Sequence, residues 1–205
     1  MRFPLRLLVL VTGCVVLGMG VAMLLTANLG SDGYSTLVRG LSLSTGLEFW
    51  SANLVVGVLF LAVAATRGVY PGIGTIVQVL LVGGVVTWLL QAFDTPDSLV
   101  ARAGLLVGAM PVLALGIAAY LGSQLGAAPI EAAGLAWDPP VPFRWSYSAV
   151  QLGGSLVGWW LGATIGIGTV AVIVLLGPMV DLASRLLRLD VHQRRTVGGR
   201  ASAPS

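Results

Sequence analysis

Gly20-Val-Ala-Met-Leu-Leu-Thr-Ala-Asn28-Leu29-Gly30 returns 96 residues later as Gly116-Ile-Ala-Ala-Tyr-Leu-Gly-Ser-Gln124-Leu125-Gly126. Working outward, Trp50-Ser51 returns as Trp145-Ser146 at a spacing of 95, and Gly72-Ile-Gly74-Thr75-Ile76 returns as Gly166-Ile-Gly168-Thr169-Val170 at 94. Unrelated apolar helices share Leu, Val and Ala. They do not share an amide-Leu-Gly followed, in the same order and at nearly constant offset, by Trp-Ser and a GIGT turn. The chain therefore reads as a duplication, with a first unit over 1–97 and a second over 98–190, followed by a basic tail over 191–205.

Each unit is strongly apolar. The 205 residues are 57% hydrophobic and 9% charged, with a mean hydropathy of +0.95, more than a soluble domain needs to fill one core. Six apolar stretches follow one another at about 7–29, 50–65, 73–93, 104–125, 146–163 and 165–187, the second and fifth being short. Breaking residues separate them: Pro71-Gly72 precedes the third, Asp94-Thr-Pro96-Asp97 the fourth, and Asp138-Pro-Pro-Val-Pro142 the fifth. Six spans of roughly 20 residues with short loops fit a chain of this length, leaving little room for a separate soluble domain.

Orientation follows from arginine, since the chain has no lysine and short cytoplasmic loops retain positive charge. With the N-terminus inside, Arg2, Arg6, Arg67, Arg144, Arg185, Arg188, Arg194, Arg195 and Arg200 are cytoplasmic, and only Arg39 and Arg102 face outward. Both termini are thus expected in the cytoplasm of a bacterium, with the chain in its inner membrane. The six tryptophans fall near span ends, as interfacial belts do. The net charge of +3 and the pI near 9.6 arise mostly from the arginines after the last span, which argues for an anchor on anionic lipid and against nucleic acid. Gly13-Cys14 resembles a lipoprotein cleavage box. The apolar run continues well past it, so the first helix is expected to be retained.

Three spans per unit is an odd number, so the second unit begins on the opposite face of the membrane. The expected fold is an all-α membrane protein of six transmembrane helices arranged as two inverted three-helix repeats, an architecture that suits alternating access. The stretches Ala27-Asn-Leu-Gly30, Pro71-Gly-Ile-Gly-Thr-Ile76 and Leu176-Gly-Pro-Met-Val-Asp181 resemble the YczE-like bacterial integral membrane proteins, loosely grouped with YitT-type proteins. The resemblance covers roughly residues 18–187 and implies a transporter-like architecture without naming a substrate. The chain departs from that pattern at Ser31-Asp32-Gly33-Tyr34, where Ser-Pro-Trp-Asp is more usual.

Candidate site residues lie where helices are interrupted, because backbone freed at membrane depth must be buried in protein or line a cavity. Asn28 and Gln124 are matched amides, suited to capping or to substrate contact. Asp32 opens a short amphipathic helix after Gly30. Glu131 opens its counterpart after Gly126, with Pro129 at a first helical position. Either acid is a solvated helix-start residue or a binding and coupling group. The turns Gly72, Gly74, Thr75 and Gly166, Gly168, Thr169 either aim helix N-terminal N–H groups at an anion or let helices cross tightly. Asp181 pairs with Arg185 one turn on, or is a coupling acid in the sixth span. Asn53, Gln78 and Gln151 suit interhelical hydrogen bonds.

No metal-ligand cluster is present, Cys14 has no disulfide partner, and no catalytic motif appears, so neither an enzyme nor a cofactor is expected. The favoured reading is a secondary transporter or exporter of a small polar or amphipathic metabolite. The alternatives are a substrate-capture membrane subunit of a larger transporter, which would purify with an ATPase, and a non-transporting scaffold, which would purify with its client. A transporter would purify alone or as a homodimer, its partners being a small-molecule substrate and the lipid bilayer.

Overall fold

The computed structural model describes residues 3–47 and 49–189; Arg2 and the tail over 191–205, with Arg194, Arg195 and Arg200, lie outside them. The helices are α1 (Phe3–Ala27), α2 (Gly33–Thr45), α3 (Phe49–Ala65), α4 (Ile73–Ala92), α5 (Leu99–Gly122), α6 (Pro129–Leu135), α7 (Phe143–Trp160) and α8 (Ile167–Leu187). Among the described residues there is no strand.

Four helices, α1, α4, α5 and α8, are long and apolar enough to cross a membrane. With large apolar side chains such as Leu80, Val100, Val107 and Trp160 turned outward, they mark the chain as a membrane protein. The stretches expected to be short form α3, an apolar helix of 17 residues, and α7, whose 18 residues include Arg144, Ser146, Gln151, Ser155 and three glycines. Length limits the first and polarity the second, so neither meets the standard of the other four. Trp88, Trp137, Trp145, Trp159 and Trp160 are all exposed.

The two expected short helices form where the sequence puts them. At the start of α2 the Ser35 N–H donates to Asp32 Oδ2 at 3.0 Å, the side-chain cap an aspartate provides. Gly46 closes the helix in the left-handed region, φ 73°, a conformation that costs glycine little. In α6, Pro129 stands in the first turn, where its missing N–H costs nothing.

At the centre α1 and α5 cross as antiparallel partners. A Cβ on Gly13 or Gly116 would come within 2.5 Å of the backbone nitrogen of Tyr120 or Leu17, and one on Gly20 within 2.8 Å of that of Leu113. Backbones approach this closely only where side chains are absent. The buried core, including Leu10, Leu17, Leu24, Ile117 and Leu121, is built around this crossing. The remaining helices contact it in matched pairs: α4 packs on α1 and α8 on α5, α2 packs on α7 and α3 on α6. Each short helix therefore lies against the third helix of the other half as well as its own.

One element breaks the match. Val172–Leu176, inside α8, is π-helical, while α4 is α-helical throughout. Extra-wide turns of this kind shift which side chains face a neighbour. Gly177 follows directly and sits against the Arg144 carbonyl, where a Cβ would come within 2.5 Å of the oxygen.

Candidate functional site

The duplicated turns meet each other across the two halves. After α1 the chain passes through Asn28 at φ 46° and Gly30 at φ 117°; after α5 it passes through Gln124 at φ 58° and Gly126 at φ 135°. Left-handed residues reverse the chain directly after each helix. The reversal presents the Leu29 carbonyl to the start of α8, where the Gly168 N–H donates to it at 2.8 Å. The Leu125 carbonyl is presented to the start of α4, where the Gly74 N–H donates at the same distance. A Cβ on Gly72 would collide with the Leu125 carbonyl, and one on Gly166 with that of Leu29. Thr75 Oγ1 accepts from the Gly72 N–H at 3.1 Å and donates to the Ala127 carbonyl at 2.7 Å. Thr169 Oγ1 accepts from the Gly166 N–H at 3.4 Å.

An arginine completes each of these clasps. Arg102 Nε donates to the Ala27 carbonyl at 2.8 Å and its Nη2 to that of Asn28. Arg6 Nε donates to the Ser123 carbonyl at 2.7 Å and its Nη2 to that of Gln124. Helix C-termini leave carbonyls without intrahelical donors, and in a bilayer no water replaces them. Arg6 and Arg102 are themselves 96 residues apart, a fourth match at the repeat spacing that the sequence reading passed over. Arg102 thus has a structural task on the side expected to be poor in positive charge.

This geometry favours one of the two expectations for Asn28, Gln124, Gly72, Gly74, Thr75, Gly166, Gly168 and Thr169. The Gly74 and Gly168 N–H groups hold carbonyls of the opposite half, so the GIGT turns serve as interlocking supports and not as an anion cradle. Asn28 and Gln124 contribute a left-handed turn and a carbonyl for arginine.

The other candidates separate. Asp32 and Glu131 line a common cavity of about 350 Å³ with walls from both halves; Asp181 is not among its lining residues. Apolar walls come from α1, α4 and α5, with Leu17, Leu24, Val82 and Ile117 among them, and Leu176 of the π-helical turn adds to them. Polar groups come from Asp32, Tyr34 and Ser35 of the first short helix, Asn53 of α3, Gln78 and Thr87 of α4, Glu131 of α6, and Tyr147 of α7. Asp32 and Glu131 are not equivalent positions. At the repeat spacing of 96 the counterpart of Glu131 is Ser35, and the counterpart of Asp32 is Ala128.

Glu131 is the most constrained of these groups. It is 4% exposed, its carboxyl neighbours the Tyr120 hydroxyl, and its Oε2 is buried with no hydrogen-bond partner. A carboxyl oxygen removed from water without a partner costs several kcal/mol, on the order of the 1–3 kcal/mol of an unmade bond or more. The Tyr120 hydroxyl also accepts from the Ala128 N–H at 3.3 Å, which fixes the start of α6. The opposite wall is tied by a residue that sequence reasoning read as an interhelical hydrogen-bonder. Gln151 Oε1 accepts from the Gly33 N–H at 2.5 Å, and its Nε2 donates to the Tyr147 hydroxyl at 2.9 Å. Tyr34 donates to the Asn53 carbonyl at 3.1 Å. Tyr34 and Tyr147 carry no sequence signal that singles them out as site residues.

A family model for a family of unknown function, DUF6198, matches residues 5–185, so the chain belongs to that family. An uncharacterized protein of Haemophilus influenzae is 23% identical to it over 182 residues, covering 86% of this chain and 82% of that protein. No solved structure matches. Neither match carries the YczE or YitT name.

Proposed function

We propose that the chain is a secondary transporter or exporter of a small polar or amphipathic metabolite, six spans arranged as two inverted three-helix repeats that expose one central site alternately to either side. The carrying observation is the cavity lined jointly by both halves, with Glu131, whose Oε2 is buried and unpartnered, among its lining residues. Antiparallel packing of α1 on α5 and the matched clasps support the inverted arrangement, because both are contacts that a two-fold relation between opposed copies generates. The binding groups in this reading are Glu131 and Asp32, and the clasp residues hold the two halves in register. In the proposed orientation both termini lie in the cytoplasm and the membrane is the bacterial inner membrane.

Accessibility of single cysteines tests this reading. In a Cys14→Ser background, cysteines at Ser44 and Ser98 should react with an impermeant thiol reagent added outside intact cells, and one at Gly68 should not. A cysteine at Ser35, on the cavity wall, should change the side from which it is labelled when a ligand found by thermal-shift screening is added. The reverse labelling of Ser44 and Gly68 overturns the orientation. Access to Ser35 from one side only, with and without ligand, overturns alternating access.

A further inference from the structure

We propose that the cavity takes an organic monocation, a protonated amine on a small apolar body, whose N–H is met by the Glu131 carboxylate. The assignment rests on the transporter reading, which makes the cavity a substrate site, and it deepens that reading by naming the substrate class.

Four observations converge on it. The first is hydrogen bonding: the Glu131 carboxyl lines the cavity with its Oε2 buried and without a hydrogen-bond partner, a cost that a ligand's donor near this carboxyl would offset. The second is charge. Asp32 and Glu131 both line the cavity, and among the described residues that line it none is arginine or histidine. Arg6 and Arg102 are engaged on helix carbonyls and Arg67 lies over the Trp137 ring at 4.0 Å, while Arg144, over the Trp145 ring at 5.5 Å, does not line the cavity. An anionic substrate would meet carboxyls and no cation. A neutral one would leave the carboxyls without a counter-charge.

The third is aromatic. Tyr34 and Tyr147 line the same space, and both are held in place, Tyr34 by the Asn53 carbonyl and by its ring contact with Phe60 at 5.8 Å, Tyr147 by Gln151 and by Phe143 at 5.2 Å. Fixed aromatic rings attract an ammonium group through their electron-rich faces. The fourth is size and lining. About 350 Å³ lies near the small end of ligand pockets, roughly 300–1,000 Å³, and the walls from α1, α4 and α5 are aliphatic. That combination suits one charged end and a compact apolar body. Asp32 already accepts from the Ser35 N–H through Oδ2, so Glu131 is the primary contact and Asp32 an electrostatic neighbour.

Three compounds that share one body separate the classes: phenethylamine, which is cationic at neutral pH, 2-phenylethanol and phenylacetate. Binding to the detergent-purified full-length protein is measured by equilibrium dialysis and by shift in unfolding temperature. The expected result is saturable binding of phenethylamine, with the alcohol and the anion weaker by about tenfold or more, the scale of one charge-assisted hydrogen bond. Glu131→Gln should lose about the same factor for phenethylamine and little for 2-phenylethanol. The ligand series on the unaltered protein decides the matter even where the variant fails to fold. Phenylacetate binding as tightly as phenethylamine, unchanged phenethylamine binding by a folded Glu131→Gln protein, or no saturable phenethylamine binding overturns the proposal. Counterflow in proteoliposomes keeps the two readings apart. Phenethylamine bound through Glu131 but never translocated leaves the cation assignment standing and removes the transporter, whereas phenylacetate bound and translocated does the opposite.

Discussion

The two halves agree at the clasps and disagree at the cavity. At the clasps the arginines, the presented carbonyls and the turn residues have counterparts at the repeat spacing: Arg6 with Arg102, Leu29 with Leu125, Gly74 with Gly168, Thr75 with Thr169. Around the cavity the counterparts differ in kind. Glu131 stands opposite Ser35 and Asp32 opposite Ala128, while Gln78 and Thr87 of α4 correspond to Val172 and Asp181 of α8. Interactions that join two copies to each other must be kept in both, since each copy supplies half of each joint. A single central cavity has no such requirement, and its walls are free to diverge. On the proposed reading, duplication reports what holds the molecule together, and departures from it report where substrate is met.

The comparison is most easily broken at the clasp glycines. Gly72→Val and Gly166→Val each drive a side chain into a carbonyl of the opposite half, and neither backbone can withdraw without losing the Gly74 or Gly168 bond. Each should cost about 3 kcal/mol or more, seen as loss of monodisperse protein on size exclusion, and the two losses should be alike. A large effect in one half with a small one in the other would show that the joints are not equivalent.

The arginines come next. Arg6→Ala and Arg102→Ala each strip two helix-end carbonyls of their donors, for an expected loss of about 1–3 kcal/mol apiece in denaturant unfolding. Lysine at either position should recover only part of it, because a single ammonium does not span two carbonyls as the guanidinium fork does. Gln151 sharpens the contrast from the other direction, since its counterpart at spacing 95 is Val56. Gln151→Leu leaves the Gly33 N–H and the Tyr147 hydroxyl without their partner and should cost about 1–3 kcal/mol. It should also weaken phenethylamine binding, as Tyr147 loses its anchor.

Much of the architecture is legible in the sequence because it depends on local signals. The helix positions and the short helices begun by Asp32 and Pro129 follow from spacing, capping and conformational preference. What is not legible is partnership. Periodicity says which face of a helix is apolar and nothing about which helix covers it, so Gly74 gives no hint that Leu125, rather than a ligand, meets its N–H. The same limit hid the cavity. Asp32 and Glu131 look alike in sequence, each an acid at the start of a short helix, and only the fold separates a capping carboxylate from one with a free buried oxygen. The arginine pair is readable at the same spacing as the amides, although an arginine near a span end signals topology first.

The smallest expected effect is at Asp32, and it tests whether the two acids have the unequal roles the geometry gives them. Asp32 accepts from the Ser35 N–H as the N-cap of α2, and asparagine caps a helix about as well as aspartate. Asp32→Asn should therefore change stability by less than about 0.5 kcal/mol, whereas Asp32→Ala, which removes the acceptor, should cost about 0.5–2 kcal/mol. Binding of phenethylamine should fall only a few-fold in Asp32→Asn, by loss of a nearby charge without loss of a contact, against roughly tenfold for Glu131→Gln. Unfolding curves and dialysis on the same preparations give both numbers. A loss at Asp32→Asn as large as that at Glu131→Gln, with stability unchanged, would make Asp32 a direct ligand and the cavity a two-carboxylate site, better suited to a dication. If instead both asparagine and alanine leave stability and binding untouched, then α2 keeps its start without the cap, held from across the repeat interface by Gln151 on the Gly33 N–H.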